Sequence, residues 1–162
     1  MAMAVMAWVI AIPLLGLATG LRTFTPLAVL CWFAYRGNLP VNDDWTMWVA
    51  KLSTAIVFTV FAAAELIGDK HPRIPDRISL GPLLFRLGFG SLAGAIVAAG
   101  LDGPVIEGIL LGLGGAFLGA FGGYLIRREL VQHMGCKDWP IAAAEDIIAI
   151  CCAVLAMGII TG

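Results

Sequence analysis

The sequence predicts an all-α polytopic membrane protein with about six transmembrane helices in a single domain, residues 1–162. Hydrophobic residues make up 60% of the chain, against about 45–50% in soluble domains. Charged residues are only 13% and the mean hydropathy is +0.96. A soluble chain of this length has too high a surface-to-volume ratio to bury so much apolar surface. We therefore predict that the remaining apolar surface lies in a lipid bilayer.

Apolar runs of about 20 residues, the length that crosses a bilayer as a helix, divide the chain. Five runs reach or approach this length: Ala2–Leu21, Trp45–Ile67, Leu83–Gly100, Val105–Ile126 and Pro140–Ile160. A sixth run, Phe24–Tyr35, spans only about 18 Å as a helix. It is therefore predicted to be either a short tilted span or a re-entrant segment. Because no basic residue precedes Arg22, the first run does not resemble a cleaved signal peptide, and we expect a retained helix.

The placement of lysine and arginine indicates the orientation. If all six runs cross, one face carries eight basic residues and the opposite face carries two. The eight are Arg22, Lys70, Arg73, Arg77, Arg86, Arg127, Arg128 and Lys137; the two are Arg36 and Lys51. Basic residues concentrate on the cytoplasmic side. We therefore expect an inner-membrane protein with both termini on the non-cytoplasmic side. A re-entrant second run weakens this bias but does not reverse it.

The fifth run is rich in glycine at helical spacing. Its spaced glycines are Gly108, Gly112, Gly115, Gly119 and Gly123. In lipid, small residues four positions apart let helix backbones approach closely. The first interpretation is packing against the fourth run, which contains Gly90 and Gly94. The second is a homodimer interface, and the two are compatible because a wide stripe has two sides. A homo-oligomer, with a dimer favoured, is the expected assembly.

Charged residues at membrane depth are costly, so they mark candidate functional positions. The candidates are Arg22, Glu65, Asp69, Lys70, Arg86, Glu145 and Asp146. In the predicted topology they meet in the cytoplasmic half of the membrane. They would form either a polar site for an ion or solute, or a charge network that only stabilises the fold.

Arg22 stands between two apolar runs with almost no loop around it. Its guanidinium is expected either to reach lipid phosphates or to form a buried pair with a carboxylate, for which its planar geometry is suited. The neighbouring Thr23 and Thr25 are candidate caps for a helix that begins at Pro26, since threonine is a good N-cap residue and proline is favoured in a first turn.

Glu65 and Asp69 are four residues apart at the end of the third run, so a continuing helix would place both on one face. The two charges would repel each other, and a helix C-terminus disfavours anions further. The sequence therefore predicts compensation by Lys70, Arg22, a bound cation or protonation of one carboxyl group. Arg86, one turn into the fourth run, is expected to neutralise one of these acids or to reach the lipid surface.

Glu145 and Asp146 lie about five residues into the last run. Because adjacent helical residues point about 100° apart, at least one of them is expected to face the bundle. Arg127 and Arg128, at the end of the fifth run, are the predicted partners.

Several classes of protein are not indicated. A net charge of −1 with scattered basic residues does not predict nucleic-acid binding. His133 and Cys136 form a lone His-x-x-Cys that lacks the other half of a four-ligand site, so no metal is assigned. The chain shows no phosphate-binding loop and no His-Glu-x-x-His motif. We predict no cofactor and favour a protein that is not an enzyme.

Three motifs also carry a resemblance to a known family. They are Gly-Leu-Arg-Thr-Phe-Thr-Pro-Leu at residues 20–27, Glu65-x-x-x-Asp69-Lys70-x-Pro72, and Arg86 within a helix of small residues. Their order and spacing resemble the bacterial membrane family catalogued as domain of unknown function 4126, and Ala144-Glu145-Asp146 resembles one branch of it. His71 departs from the pattern, which has an apolar residue there. The resemblance implies a compact membrane fold with a shared polar site, and it implies no activity.

Three functions are compatible with these features. The leading hypothesis is a small transporter or channel for an ion or small solute, working as a homodimer. The second is a scaffold or accessory subunit that transports nothing. The third is a membrane enzyme for lipid or isoprenoid substrates, in which arginines hold phosphates and paired acids hold Mg²⁺. A water-filled cavity beside Glu65 or Glu145 would favour the first.

Overall fold

The computed structural model describes residues 2–41, 45–68, 80–132 and 138–162, and these ranges form an all-helical bundle that contains no strand. The helices are α1 (Ala2–Leu21), α2 (Thr25–Tyr35), α3 (Leu52–Gly68), α4 (Leu80–Gly100), α5 (Val105–Gln132) and α6 (Asp138–Thr161). A single 3-10 turn, Met47–Ala50, precedes α3. Helices α4, α5 and α6 are long and apolar enough to cross a membrane. The predicted all-α membrane fold is therefore confirmed.

The third apolar run begins its helix later than predicted, at Leu52. Lys51 has an extended backbone, with φ −80° and ψ 135°, and it separates the 3-10 turn from α3. The hydroxyl of Thr54 donates to the carbonyl oxygen of Trp48 at 2.7 Å and ties the two pieces together. As a result α3 has 17 residues and measures about 25 Å, a little less than the hydrocarbon thickness of a bilayer.

Helix α5 lies between α1 and α4 and contacts both through glycines. Against α4, Gly108 lies on the backbone of Gly94 and Gly112 lies on that of Gly90, so the two helices are antiparallel. A Cβ at Gly108 would approach the carbonyl oxygen of Gly94 to 2.5 Å and the Cβ of Ala98 to 2.6 Å. Such distances are shorter than van der Waals contact. The close α4–α5 contact therefore requires glycine at these positions, because glycine has no side chain.

The same glycine stripe continues onto α1. Gly115 lies against the carbonyl group of Pro13, and Gly119 lies against that of Leu17. Since the residue numbers rise together along both helices, α1 and α5 run parallel. The glycine spacing predicted a contact with the fourth run and a homodimer interface, but not this contact with α1. The glycines of α5 contact two helices, α4 and α1, because their spacing spreads them around the helix surface.

The remaining helices surround this centre. Helix α6 packs on α1 and α2, while α3 packs mainly on α2 and the 3-10 turn. The core is built of small and branched residues, including Ala11, Ile12 and Ala153, which are fully buried. Large apolar side chains such as Ile67, Leu80 and Ile106 point outward. So much exposed apolar surface is unfavourable in water and favourable in lipid.

Candidate functional site

A helix break lies between α1 and α2. Helix α1 ends at Leu21 and α2 begins at Thr25, which leaves Arg22, Thr23 and Phe24 as the break. The end of α1 exposes carbonyl groups, and the start of α2 exposes N–H groups. In a bilayer water is not there to bind them, so each group needs a partner within the protein. Two charged side chains from other helices supply these partners.

Glu65, from α3, binds the start of α2. Its carboxylate accepts hydrogen bonds from the backbone N–H of Thr23 at 2.8 Å and from that of Phe24, the N-cap residue, at 3.0 Å. An anion is favourable at this end of a helix because the N-terminus carries partial positive charge. The predicted capping by Thr23 and Thr25 side chains is wrong, since the cap comes from Glu65. This contact also offsets the unfavourable position of Glu65 near the C-terminus of its own helix.

Arg86, from α4, binds the end of α1. Its Nη1 donates to the carbonyl oxygens of Gly20 at 2.5 Å and Leu21 at 2.8 Å. The residue is only 4% exposed, so it does not reach toward a lipid surface. A cation is favourable at a helix C-terminus, where the partial charge is negative. Its Nη2 also lies 3.9 Å from Oε1 of Glu65.

Arg22, within the break, is 1% exposed and forms an ion pair with Asp146 of α6. Of the two alternatives predicted for Arg22, the structure places the side chain in the buried pair. Its backbone N–H donates to the carbonyl oxygen of Ala18 at 2.8 Å and extends the hydrogen bonding of α1 by one residue. The arginine therefore joins the break to α6.

Glu145, next to Asp146, contacts α5. Its Oε2 lies 3.8 Å from Nη1 of Arg127, and the residue is 7% exposed. The predicted pairing between the end of α5 and this acidic pair is therefore present, through Arg127. The carboxylate lies beside Gly123 of α5, where a Cβ would be in ordinary contact with Oε1 at 3.9 Å. Both acids face the bundle, each toward a different helix.

These contacts gather three acidic and three basic side chains around the end of α1. The pairs balance in charge, so the group is neutral when all members are ionised. Asp69 and Lys70, also predicted for this site, lie outside the described residues, as do His133 and Cys136. Among the residues that the structure does describe, no group of three or more His, Cys, Asp or Glu side chains is placed to hold a metal ion.

Phe24, which was not predicted to be a site residue, packs its ring beside the break. Its ring centroid lies 5.2 Å from that of Phe61, 5.5 Å from that of Phe89 and 6.4 Å from that of Phe58. Aromatic pairs at these separations add stabilisation beyond buried area. The cluster brings the break, α3 and α4 together beside the charged pair. The only sequence signal was the position of Phe24 between two polar residues.

A cavity of about 370 Å³ adjoins the pair of Glu65 and Arg86. It is lined by Thr23, Phe24, Glu65, Gly81, Pro82, Phe85 and Arg86. Its volume is within the range of about 300–1,000 Å³ that is common for small-molecule sites. The lining is mostly apolar, with the two charged groups at the helix break. This arrangement is able to receive a small solute that presents one polar group to the break.

The sequence matches the family described as domain of unknown function (DUF4126) over residues 9–159. The match includes the break and all three ion pairs. Comparison with curated proteins and with solved structures found no match.

Proposed function

Because the chain belongs to the family described as domain of unknown function 4126, which names no activity, we propose a function from the geometry of the break. The protein is a small membrane transporter or channel for an ion or small solute. The observation that carries this proposal is the cavity of about 370 Å³ beside Glu65 and Arg86 at the break between α1 and α2. Its polar site lies in the cytoplasmic half of the membrane.

Helix ends support solute binding for a physical reason. At the break, the last carbonyl groups of α1 and the first N–H groups of α2 have no partner within their own helices, so they are able to bind ions and polar solutes. Here Glu65 and Arg86 bind those groups. Both side chains also line the cavity. A solute that exchanges for one of them would gain the same hydrogen bonds without leaving backbone groups unsatisfied.

We further propose that all six helices cross the inner membrane, with both termini on the non-cytoplasmic side. The directions of neighbouring helices support this. Glu65 meets Thr23, and Trp32 Nε1 donates to Thr59 Oγ1 at 3.0 Å, so α2 and α3 are antiparallel. Asp146, early in α6, pairs with Arg22 at the end of α1, so these helices are antiparallel as well. The arginines of the break would then lie toward the cytoplasm, in agreement with the positive-inside rule.

The proposed working unit is a homodimer. Gly108, Gly112, Gly115 and Gly119 lie against α1 and α4 within one chain. Gly114 and Gly122 remain on the outer surface of α5, where an added Cβ would meet no described atom within 4 Å. A second copy would pack on this surface, because backbone-to-backbone approach stabilises helix pairs in lipid.

The test is ion and solute flux in proteoliposomes. The native protein is compared with Glu65→Gln, and Glu107→Gln serves as the control because Glu107 is exposed in the first turn of α5. The proposal expects that the gradient-driven flux of the native protein changes in Glu65→Gln and is retained in Glu107→Gln. The absence of flux from well-folded native protein, over inorganic ions and small organic acids, would refute transport.

A membrane scaffold is the second candidate, and the balanced charges favour it. Two of the ion pairs join two helices and the third joins the break to α6. Two of the charged groups bind helix ends, which is also what a purely structural network would do. A scaffold predicts a stable larger partner in pull-downs from mild detergent. A transporter predicts recovery of the homo-oligomer alone.

A further inference from the structure

The groups that bind the carboxylate of Glu65 would also bind the carboxylate of a small-molecule ligand. It receives two backbone hydrogen bonds at 2.8 and 3.0 Å, and a guanidinium nitrogen lies 3.9 Å away. Two N–H donors together with an arginine form a usual set of ligands for a carboxylate. The side chain reaches this position from a third helix. The molecule therefore contains a carboxylate site that is occupied by its own residue.

Of the two charged side chains at the cavity, Glu65 is the one able to leave. It belongs to α3, which packs mainly on α2 and the 3-10 turn at the edge of the bundle. Its side chain is 11% exposed, against 5% for Arg86. Arg86 belongs to α4 and is fixed by two carbonyl groups of α1. An anion that replaces Glu65 is therefore favoured over a cation that replaces Arg86.

The rest of the cavity selects the body of the ligand. Its walls include the rings of Phe24 and Phe85 and the side chain of Pro82. Such surfaces favour an apolar group and give no hydrogen bonds to a strongly hydrated inorganic ion. The volume of about 370 Å³ fits a small molecule.

We infer that the cavity binds a small monocarboxylate with an apolar body, whose carboxylate replaces that of Glu65 on the α2 N-terminus and Arg86. The inference rests on the proposed function, since it names the class of solute that the same site would take. When the ligand is absent, Glu65 occupies the site and closes the break. When the ligand is bound, the hydrogen bonds of Thr23 and Phe24 pass to it.

The test is binding of benzoate to the purified full chain in detergent, measured by calorimetry and by the shift in unfolding temperature. Glu65→Ala vacates the site, so it is expected to bind benzoate at least about tenfold more tightly than the native protein, where Glu65 competes. Benzamide has the same shape without the charge and is expected to bind at least about tenfold more weakly than benzoate. Glu107→Ala is expected to bind benzoate as the native protein does.

A second variant identifies the cation. Glu65→Ala with Arg86→Lys keeps the charge but loses the planar guanidinium, and it is expected to bind benzoate more weakly than Glu65→Ala alone. If Glu65→Ala does not fold, Glu65→Asp is used, because its shorter side chain withdraws the carboxylate from the two N–H groups. Equal binding of benzoate and benzamide, equal binding of chloride, or tighter binding of a long-chain fatty acid would each overturn the inference.

Binding in detergent needs no flux, so the two proposals fail separately. Benzoate binding without flux in proteoliposomes would support the carboxylate site and refute transport. Flux of another solute without benzoate binding would support transport and refute the assignment of a monocarboxylate as the solute.

Discussion

Glu65 and Arg86 lie 3.9 Å apart, and each binds the end of a different helix. Glu65 holds the N–H groups at the start of α2, and Arg86 holds the carbonyl groups at the end of α1. The pair thus supplies partners for backbone groups at the break that would otherwise be unsatisfied in the bilayer. Charged side chains are costly at membrane depth, but these two are needed because they bind the backbone groups of the break.

Glu65→Ala is expected to lower the free energy of unfolding by about 2–4 kcal/mol, because it leaves the N–H groups of Thr23 and Phe24 without their acceptor. Thermal or denaturant unfolding in detergent measures the change. Glu107→Ala is the matched control and should stay within about 0.5 kcal/mol of the native protein, as exposed substitutions usually do. Equal effects of the two variants would contradict the capping role.

Arg22→Met is expected to cost about 3–5 kcal/mol, because it leaves Asp146 as an uncompensated charge inside the bundle. The double variant Arg22→Met with Asp146→Leu removes both charges and should be more stable than Arg22→Met alone. The double-mutant cycle, measured by unfolding in one detergent, yields the coupling between the two residues. Additive single effects would mean that the pair contributes nothing specific.

Gly112→Ala is expected to disrupt the bundle, since the added Cβ would overlap the carbonyl oxygen of Gly90 and lie 3.3 Å from the Cα of Gly94. Gly114→Ala is the control on the same helix, where the added Cβ meets no described atom within 4 Å. Because alanine is a better helix former, this control should be neutral or more stable by about 0.5–1 kcal/mol. Unfolding temperatures and size-exclusion profiles compare the two. Similar behaviour would argue against the close packing.

Gly114→Leu tests the homodimer separately. A bulky side chain on the outer surface of α5 should leave the fold unchanged and weaken self-association of the chain. Cross-linking in membranes, at matched expression, measures the fraction of dimer, and Leu113→Ile on the same helix is a conservative control. Unchanged cross-linking in Gly114→Leu would exclude this surface as the interface.

The proposed orientation is tested by labelling single cysteines in a variant whose four native cysteines are replaced by alanine or serine. Arg36→Cys is expected to react with a membrane-impermeant maleimide from the non-cytoplasmic side. Arg128→Cys should react only after the membrane is opened, because eight of the ten basic residues are assigned to the cytoplasmic face. Labelling of both positions from the same side would contradict the topology.

The membrane fold was predictable from the sequence alone, and so were the helix limits to within about three residues, except the start of α3 and the end of α5. Hydropathy predicted Ala2–Leu21 as a helix, and the structure has the same limits. Helix length and apolar content are local properties, so they can be read from consecutive residues. The glycine spacing on α5 likewise indicated close packing, although it did not indicate that Gly115 and Gly119 lie against α1.

The charged residues Arg22, Glu65, Arg86, Glu145 and Asp146 were also predicted to lie at membrane depth, and Arg127 was predicted as a partner of the acidic pair in α6. The partners of Arg22, and the backbone groups that Glu65 and Arg86 bind, came only from the structure. The partner of Arg22 is an acidic side chain, and the sequence can suggest such a partner through its opposite charge. Glu65 and Arg86 bind backbone N–H and carbonyl groups, which every residue has and which therefore leave no mark in the sequence. The cavity beside them lies where α3 and α4 meet the break between α1 and α2, and no single segment of the chain contains that information.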